Sequence, residues 1–146
     1  MLSLLQIHAM PLPQLAELIK PAGYYNLKAQ RLLNLCNYLV TVGGLPSLAQ
    51  QDLVTAREGL LTVNGVGKET ADDILLYALN KPVFVIDTYT RRLLARYGLI
   101  KGDEKYDDLR PGFEQALPAD VSLFKEYHAR IVLHANEACG NKPQCD

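Results

Sequence analysis

The chain has 146 residues, 49% of them hydrophobic, and 15 basic against 16 acidic side chains leave a formal charge of −1. This suits one ordinary domain with a buried core and excludes a broadly basic surface, so any grip on nucleic acid must be local. No apolar run is long enough to span a bilayer, Met1-Leu2-Ser3 opens no secretory leader, and an odd count of three cysteines argues for a reducing, bacterial-type cytoplasm rather than a disulfide framework.

Leu2 to Met10 reads as the end of a helix, and Pro13 at a first-turn position starts another through Leu15, Leu18 and Ile19. Gly23 and two tyrosines make a turn. Tyr24 and Tyr25 are able to stack on a base, but packing beneath the turn is the expectation. Asn26 is placed to cap a helix running to about Val42, with Ala29, Leu32, Leu33, Cys36, Leu39 and Val40 inward and Cys36 a buried hydrophobe. Gly43-Gly44 ends it, and Pro46-Ser47 begins the next.

The most informative stretch is Leu61 to Arg92. Thr55-Ala56-Arg57-Glu58 has capping-box spacing, with Thr55 as N-cap of a short helix through Leu61. Ala71, Ile74, Leu75, Ala78 and Leu79 then form one apolar stripe on a helix from Lys68 to Leu79, with Lys68, Glu69, Asp72, Asp73 and Tyr77 on the other face. Between the helices lies Asn64-Gly65-Val66-Gly67. Two glycines there permit a sharp turn and close approach to the backbone, and the unpaired N–H groups of a following helix suit a phosphate. Pro82 stops helix formation, and Val83 to Ile86 is too apolar for solvent, so the segment crosses the core as an extended connector. It delivers Asp87, the expected N-cap of a helix from Thr88 to about Tyr97.

Gly98 closes that helix, and Lys101 to Tyr106 is a charged loop. A helix around Asp107 to Ala116 precedes Pro118. The last helix runs from about Asp120 to Ala138, with Val121, Phe124, Tyr127, Ile131 and Ala135 as its stripe. His128 and His134 read as packed histidines rather than ligands. The isolated connector cannot make a sheet, so the fold class is all-α. Cys139 and Cys145 alone cannot close a metal site.

Glycine hairpin, apolar helix, extended connector and Asp87, at these separations, resemble the helix-hairpin-helix (HhH-GPD) glycosylase superfamily, the endonuclease III-like DNA repair enzymes. Gly23-Tyr24-Tyr25-Asn26-Leu27-Lys28-Ala29 is similar to that family's glycine-to-Lys-Ala segment, and Cys139-x5-Cys145 to the first half of its iron–sulfur loop. The resemblance covers nearly the whole chain from about Leu4. It implies an incomplete six-helix domain over 1–100, with the hairpin at 55–79 and the catalytic loop at 82–87. Part of a C-terminal, iron–sulfur-side domain would follow over 101–146.

By the same resemblance the partner is double-stranded DNA with a damaged base, flipped into a pocket by a monomeric protein of the bacterial nucleoid. Asn64, Gly65, Val66, Gly67, Lys68, Thr70 and Arg91 would touch DNA, with Arg92, Arg96, Lys28 and Arg31 adding local positive charge. Asp87 would stabilise charge developing on the deoxyribose. This requires the Asp87 carboxyl to be unburied and turned toward the Asn64–Gly67 bend. Cys139 and Cys145 would be two ligands of an incomplete 4Fe-4S site, and the chain is not expected to bind the cluster.

The departures from the family pattern are specific. Members that also cut the strand carry a Schiff-base Lys two residues after the second hairpin glycine, where this chain has Glu69. Lys68 would point about 100° away around the helix. A glutamate cannot form an imine, so the resemblance is closer to the monofunctional branch and its alkylated-base glycosylases. Asn64 replaces the usual Pro, for a softer hairpin. The chain reads as truncated at both ends. The competing readings are a non-catalytic DNA-binding helix-hairpin-helix module, with Asp87 only a cap, and a small all-α interaction protein.

Overall fold

The computed structural model describes residues 3–140 together with Lys142 and Pro143. Cys145 therefore lies outside the described residues. Among them every regular element is helical, and no single helix is long and apolar enough to cross a membrane. The chain divides into two compact units, Met1–Gly67 and Lys68–Asp146.

In the first unit, α1 (Leu4–His8) is closed by a capping box in which Ser3 and Gln6 satisfy each other's backbone N–H. Then come α2 (Leu12–Leu18), a 3₁₀ turn at Lys20–Ala22, and α3 (Tyr25–Thr41). Leu15, Ala16 and Ala29 are the buried centre, with Ile7, Met10, Leu12, Ile19, Tyr25, Leu32 and Leu33 packed around them. Helices α4 (Gly44–Gln50) and α5 (Leu53–Leu61) complete the unit. Gly59 brings α5 against α3, because a Cβ there would lie 2.2 Å from the Tyr38 hydroxyl oxygen.

Two expected caps are corrected here. The N-cap of α5 is Asp52, whose carboxylate accepts the Thr55 N–H at 3.0 Å, so the helix begins one turn's worth of side chains before the Thr55 box. Helix α3 starts at Tyr25 behind Tyr24 rather than at Asn26. Tyr24 adopts a left-handed φ of 47° and is 87% exposed, so it does not pack beneath the turn. Tyr25 does pack, against the Leu15 cluster.

The second unit opens with α6 (Lys68–Asp73), which the stripe predicted to continue to Leu79. It changes instead into a π-helical turn over Ile74–Ala78, in which the Leu79 N–H reaches back to the Ile74 carbonyl at 3.1 Å. Asp72, assigned to the polar face, is fully buried. Arg110 explains this in part: its Nε stands 4.0 Å from the Asp72 carboxylate, while its Nη1 donates to Glu114 at 3.0 Å.

The connector crosses the core as expected, with Val83, Phe84, Val85 and Ile86 all at or below 1% exposure. Its backbone hydrogen bonds are made without a partner strand. The Phe84 N–H donates to Glu114 at 2.9 Å and the Ile86 N–H to the Tyr106 hydroxyl at 3.3 Å, both on α8 (Tyr106–Ala116). Phe84 stacks on Phe113 at 4.2 Å between centroids and meets the edge of Phe124 at 5.5 Å. Helix α7 (Thr88–Arg96) then starts at Asp87. Helix α9 (Val121–Glu137), capped by Asp120, packs on α7 and on the π-helical turn. On α9, Phe124, Ile131 and Ala135 are buried as the stripe requires, whereas Tyr127 is 40% exposed and His134, expected to pack, is exposed.

Candidate active site

The two glycines of the bend have different physical roles. Gly65 takes φ +97°, and a Cβ on it would lie 2.3 Å from Cγ of Arg31. It is therefore required by both backbone and packing. Gly67 has no left-handed φ and a Cβ there would meet nothing within 4 Å, so no contact of the fold needs a glycine at that position. We expect Gly65→Ala to lower stability by about 1–3 kcal/mol through strain at that φ. Gly67→Ala should leave the urea midpoint unchanged.

The other bend residues are already partly engaged. The Asn64 carbonyl accepts from Asn34 Nδ2 at 3.0 Å, which braces the bend where the family places a proline. Val66, expected at the DNA surface, turns its side chain inward, and its N–H is committed to the Val63 carbonyl at 3.0 Å.

In the second unit the Asp87 side chain is 10% exposed, so the expectation of an open carboxylate is corrected. N-cap geometry is the reason. Oδ1 folds back to accept the Thr90 N–H at 2.6 Å, while Oδ2 lies 3.3 Å from Nε2 of His128 on α9. Burial alone would raise the Asp87 pKa, but the pairings with His128 and Thr90 outweigh it and hold the carboxyl below the ordinary range. Asp87 is thus a desolvated carboxylate kept ionised.

Two more acids couple to it from α6. Glu69, exposed at the start of α6, and Asp73, half-buried one turn on, are both pushed above the ordinary carboxylate range, first by partial desolvation. The negative charge of Asp87 adds to this in each, against partial relief from His128. Tyr77, on the π-helical turn, is raised by burial and then by Asp73 and Asp87. Its hydroxyl lies 2.7 Å from Nδ1 of His128. One acid held charged beside two acids pushed toward the neutral form is the environment that divides carboxyl groups between charge stabilisation and proton transfer.

His128 is packed and Tyr77 exposed, at 8% and 43%, as the sequence implies; what it does not indicate is that the two meet beside Asp87. The available signal was weak: a histidine beside an apolar stripe and a tyrosine opposite one.

The expected cationic surface is largely committed internally. Lys68 pairs with Asp107, and Arg91 Nη1 donates to the Glu104 carbonyl at 2.8 Å. Arg92 and Arg96 donate to the Cys139 carbonyl at 3.2 and 2.9 Å. Thr70 remains exposed on α6. Cys139 is buried, with Sγ 2.8 Å from Arg96 Nη1. Among the described residues no group of three or more His, Cys, Asp or Glu side chains is placed to hold a metal ion.

Comparison with known proteins bears on this arrangement. Residues 1–119 match the family model described as HhH-GPD superfamily base excision DNA repair protein. The chain is 48% identical over 136 residues to a Methanocaldococcus jannaschii protein provisionally named a DNA repair glycosylase, covering 91% of this chain and 62% of that one. It is 29% identical to the endonuclease III of Sulfolobus acidocaldarius, covering 89% and 56%. The chain thus spans about 60% of the length of these relatives. Among solved structures, H. pylori 3-methyladenine DNA glycosylase (MagIII) bound to 1,N6-ethenoadenine superposes with a TM-score of 0.79 at 32% identity, over 92% of this chain and 67% of that one. A non-covalent endonuclease III–DNA complex matches in fold, with a TM-score of 0.77 at 24% identity, over 98% and 64%.

Proposed function

The chain belongs to the HhH-GPD superfamily of base excision DNA repair proteins, and on that premise we propose that it hydrolyses the N-glycosidic bond of a damaged, alkylated base in duplex DNA. The observation that carries this reading is Asp87, a buried carboxylate held ionised at the head of α7. Departure of the base leaves positive charge on the deoxyribose. The role does not need the unburied carboxyl expected from the sequence, because a fixed anion in low dielectric opposes that charge far more strongly than a solvated one. The likeness to a 3-methyladenine glycosylase supports an alkylated base as substrate.

Glu69 argues for hydrolysis without strand cutting. A carboxyl group has no amine with which to form an imine at the sugar, and Lys68, one residue earlier, is paired with Asp107. Gly67 is the residue whose missing side chain would admit a phosphate to the backbone. Thr70, exposed on α6, would add a further DNA contact.

The test is release of free base from methylated duplex DNA, followed by chromatography, with borohydride added in parallel. We expect free base and no covalent protein–DNA product. A trapped adduct would contradict the Glu69 argument. In the same assay Gly67→Ala should weaken DNA binding several-fold at unchanged stability. A chain that binds salt-sensitively but releases nothing would be a non-catalytic DNA-binding module.

A further inference from the structure

The imidazole of His128 lies between two polar groups from different elements of the second unit. Nδ1 is 2.7 Å from the Tyr77 hydroxyl and Nε2 is 3.3 Å from Asp87 Oδ2. His128 is 8% exposed, and its Nε2 is close enough to Asp87 for a charge contact without being aligned as a full hydrogen bond. Oδ1 of the same carboxylate is fixed by the Thr90 N–H. We propose that His128, oriented from behind by Tyr77, is the positioning residue that sets the direction and charge of the Asp87 carboxylate. The inference rests on the reading of Asp87 given above.

The chemistry follows from the partners. An ionised Asp87 can only accept, so Nε2 carries a proton and the ring faces Oδ2 through N–H. With the proton on Nε2, Nδ1 is left to accept from the Tyr77 O–H. The tyrosine thereby selects the tautomer whose proton faces the carboxylate. Without that contact the imidazole is free to place its proton on the other nitrogen. The lone pair of Nε2 would then face the anion and turn Oδ2 away from the direction in which a substrate sugar needs it.

The π-helical turn is what brings Tyr77 to this place. Its wider winding departs from the α-helical register that began at Lys68, and α9 packs directly on it. The charged and titratable groups facing the pair are Glu69 and Asp73 from α6, Arg91 from α7, and Lys125 from α9, whose Nζ lies 5.8 Å from the centroid of the Tyr77 ring. The three acids repel one another, and His128 interacts with all three.

The proposal is tested on the full chain by two measurements. The Asp87 carboxyl is titrated by carbon NMR without DNA, and base release from methylated duplex DNA is followed as a function of pH. In His128→Leu the carboxyl should titrate about one pH unit higher, because the group that opposes its burial is gone. The acid limb of kcat should rise with it. At neutral pH kcat should fall on the order of 10- to 100-fold, the penalty of a misaligned catalytic group, while KM holds.

His128→Gln, which keeps an N–H at the Nε2 position, should restore most of both. Tyr77→Phe should lower kcat less than His128→Leu does. Glu69→Gln should move the Asp87 titration in the opposite direction, downward. An Asp87 titration unchanged in both His128→Leu and His128→Gln overturns the proposal. If His128→Leu does not fold, Tyr77→Phe decides it: an Asp87 titration and a kcat both unchanged in that variant overturn the proposal. Loss of the Asp87 reading would show separately, as base release undiminished in Asp87→Asn, whatever His128 does to the titration.

Discussion

Asp87→Asn should cut base release on the order of 100- to 1,000-fold, the usual loss when one preorganised electrostatic group is removed from a transition state. DNA affinity should stay where it was. The two expectations separate because asparagine is as good an N-cap as aspartate. Its side-chain oxygen can still accept the Thr90 N–H that Asp87 accepts at 2.6 Å, so α7 starts as before. What disappears is the negative charge and its attraction to His128. Single-turnover release from methylated duplex DNA, read beside fluorescence-anisotropy binding, checks both parts. If the substitution alters only the melting temperature, Asp87 is a helix cap and no more.

The largest effect on stability is expected from Phe84→Ala, at about 3–5 kcal/mol, the range for truncating a fully buried aromatic. Phe84 is at the centre of the second unit's aromatic packing: stacked on Phe113, edge-on to Phe124, and 5.7 Å from the Tyr127 centroid. The cavity cannot close easily, because Val83, Val85 and Ile86 on either side are already buried against other groups. Phe84→Leu keeps much of the volume and should cost less than half as much. Urea denaturation of the three proteins measures this, with the m-value showing whether the second unit still unfolds as one. The connector also carries Asp87 at its end, so Phe84→Ala should lose base release under conditions where the chain remains folded. Retained release would mean that Asp87 is held by α7 and α9 without the connector.

The comparison between what the sequence implied and what the structure holds is most instructive at the acids. Asp72 and Asp73 are neighbours on one helix, and both were assigned to its outer face. Asp73 is half-buried among Asp87 and His128, while Asp72 is fully buried beside Arg110. Helical periodicity places a side chain around an axis, but whether a neighbouring helix covers that side depends on chain far away. The same holds for the cations. Arg91, Arg92 and Arg96 looked like a surface for phosphate, and in the fold they tie α7 to the Glu104 carbonyl and to Cys139.

By itself the sequence determined an all-helical chain, the boundaries of α7 and α9, the buried connector, the need for glycine at position 65, and Asp87 as the cap of its helix. These follow from apolar spacing, prolines, glycines and short polar side chains, whose effects act within a turn or two of chain. The tertiary structure alone decided that the Asp87 carboxyl is buried, that α6 widens into a π-helical turn, and that Tyr77 and His128, 51 residues apart, meet beside it. Desolvation and side-chain pairing of this kind depend on which helices pack together, and no local pattern of residues encodes that.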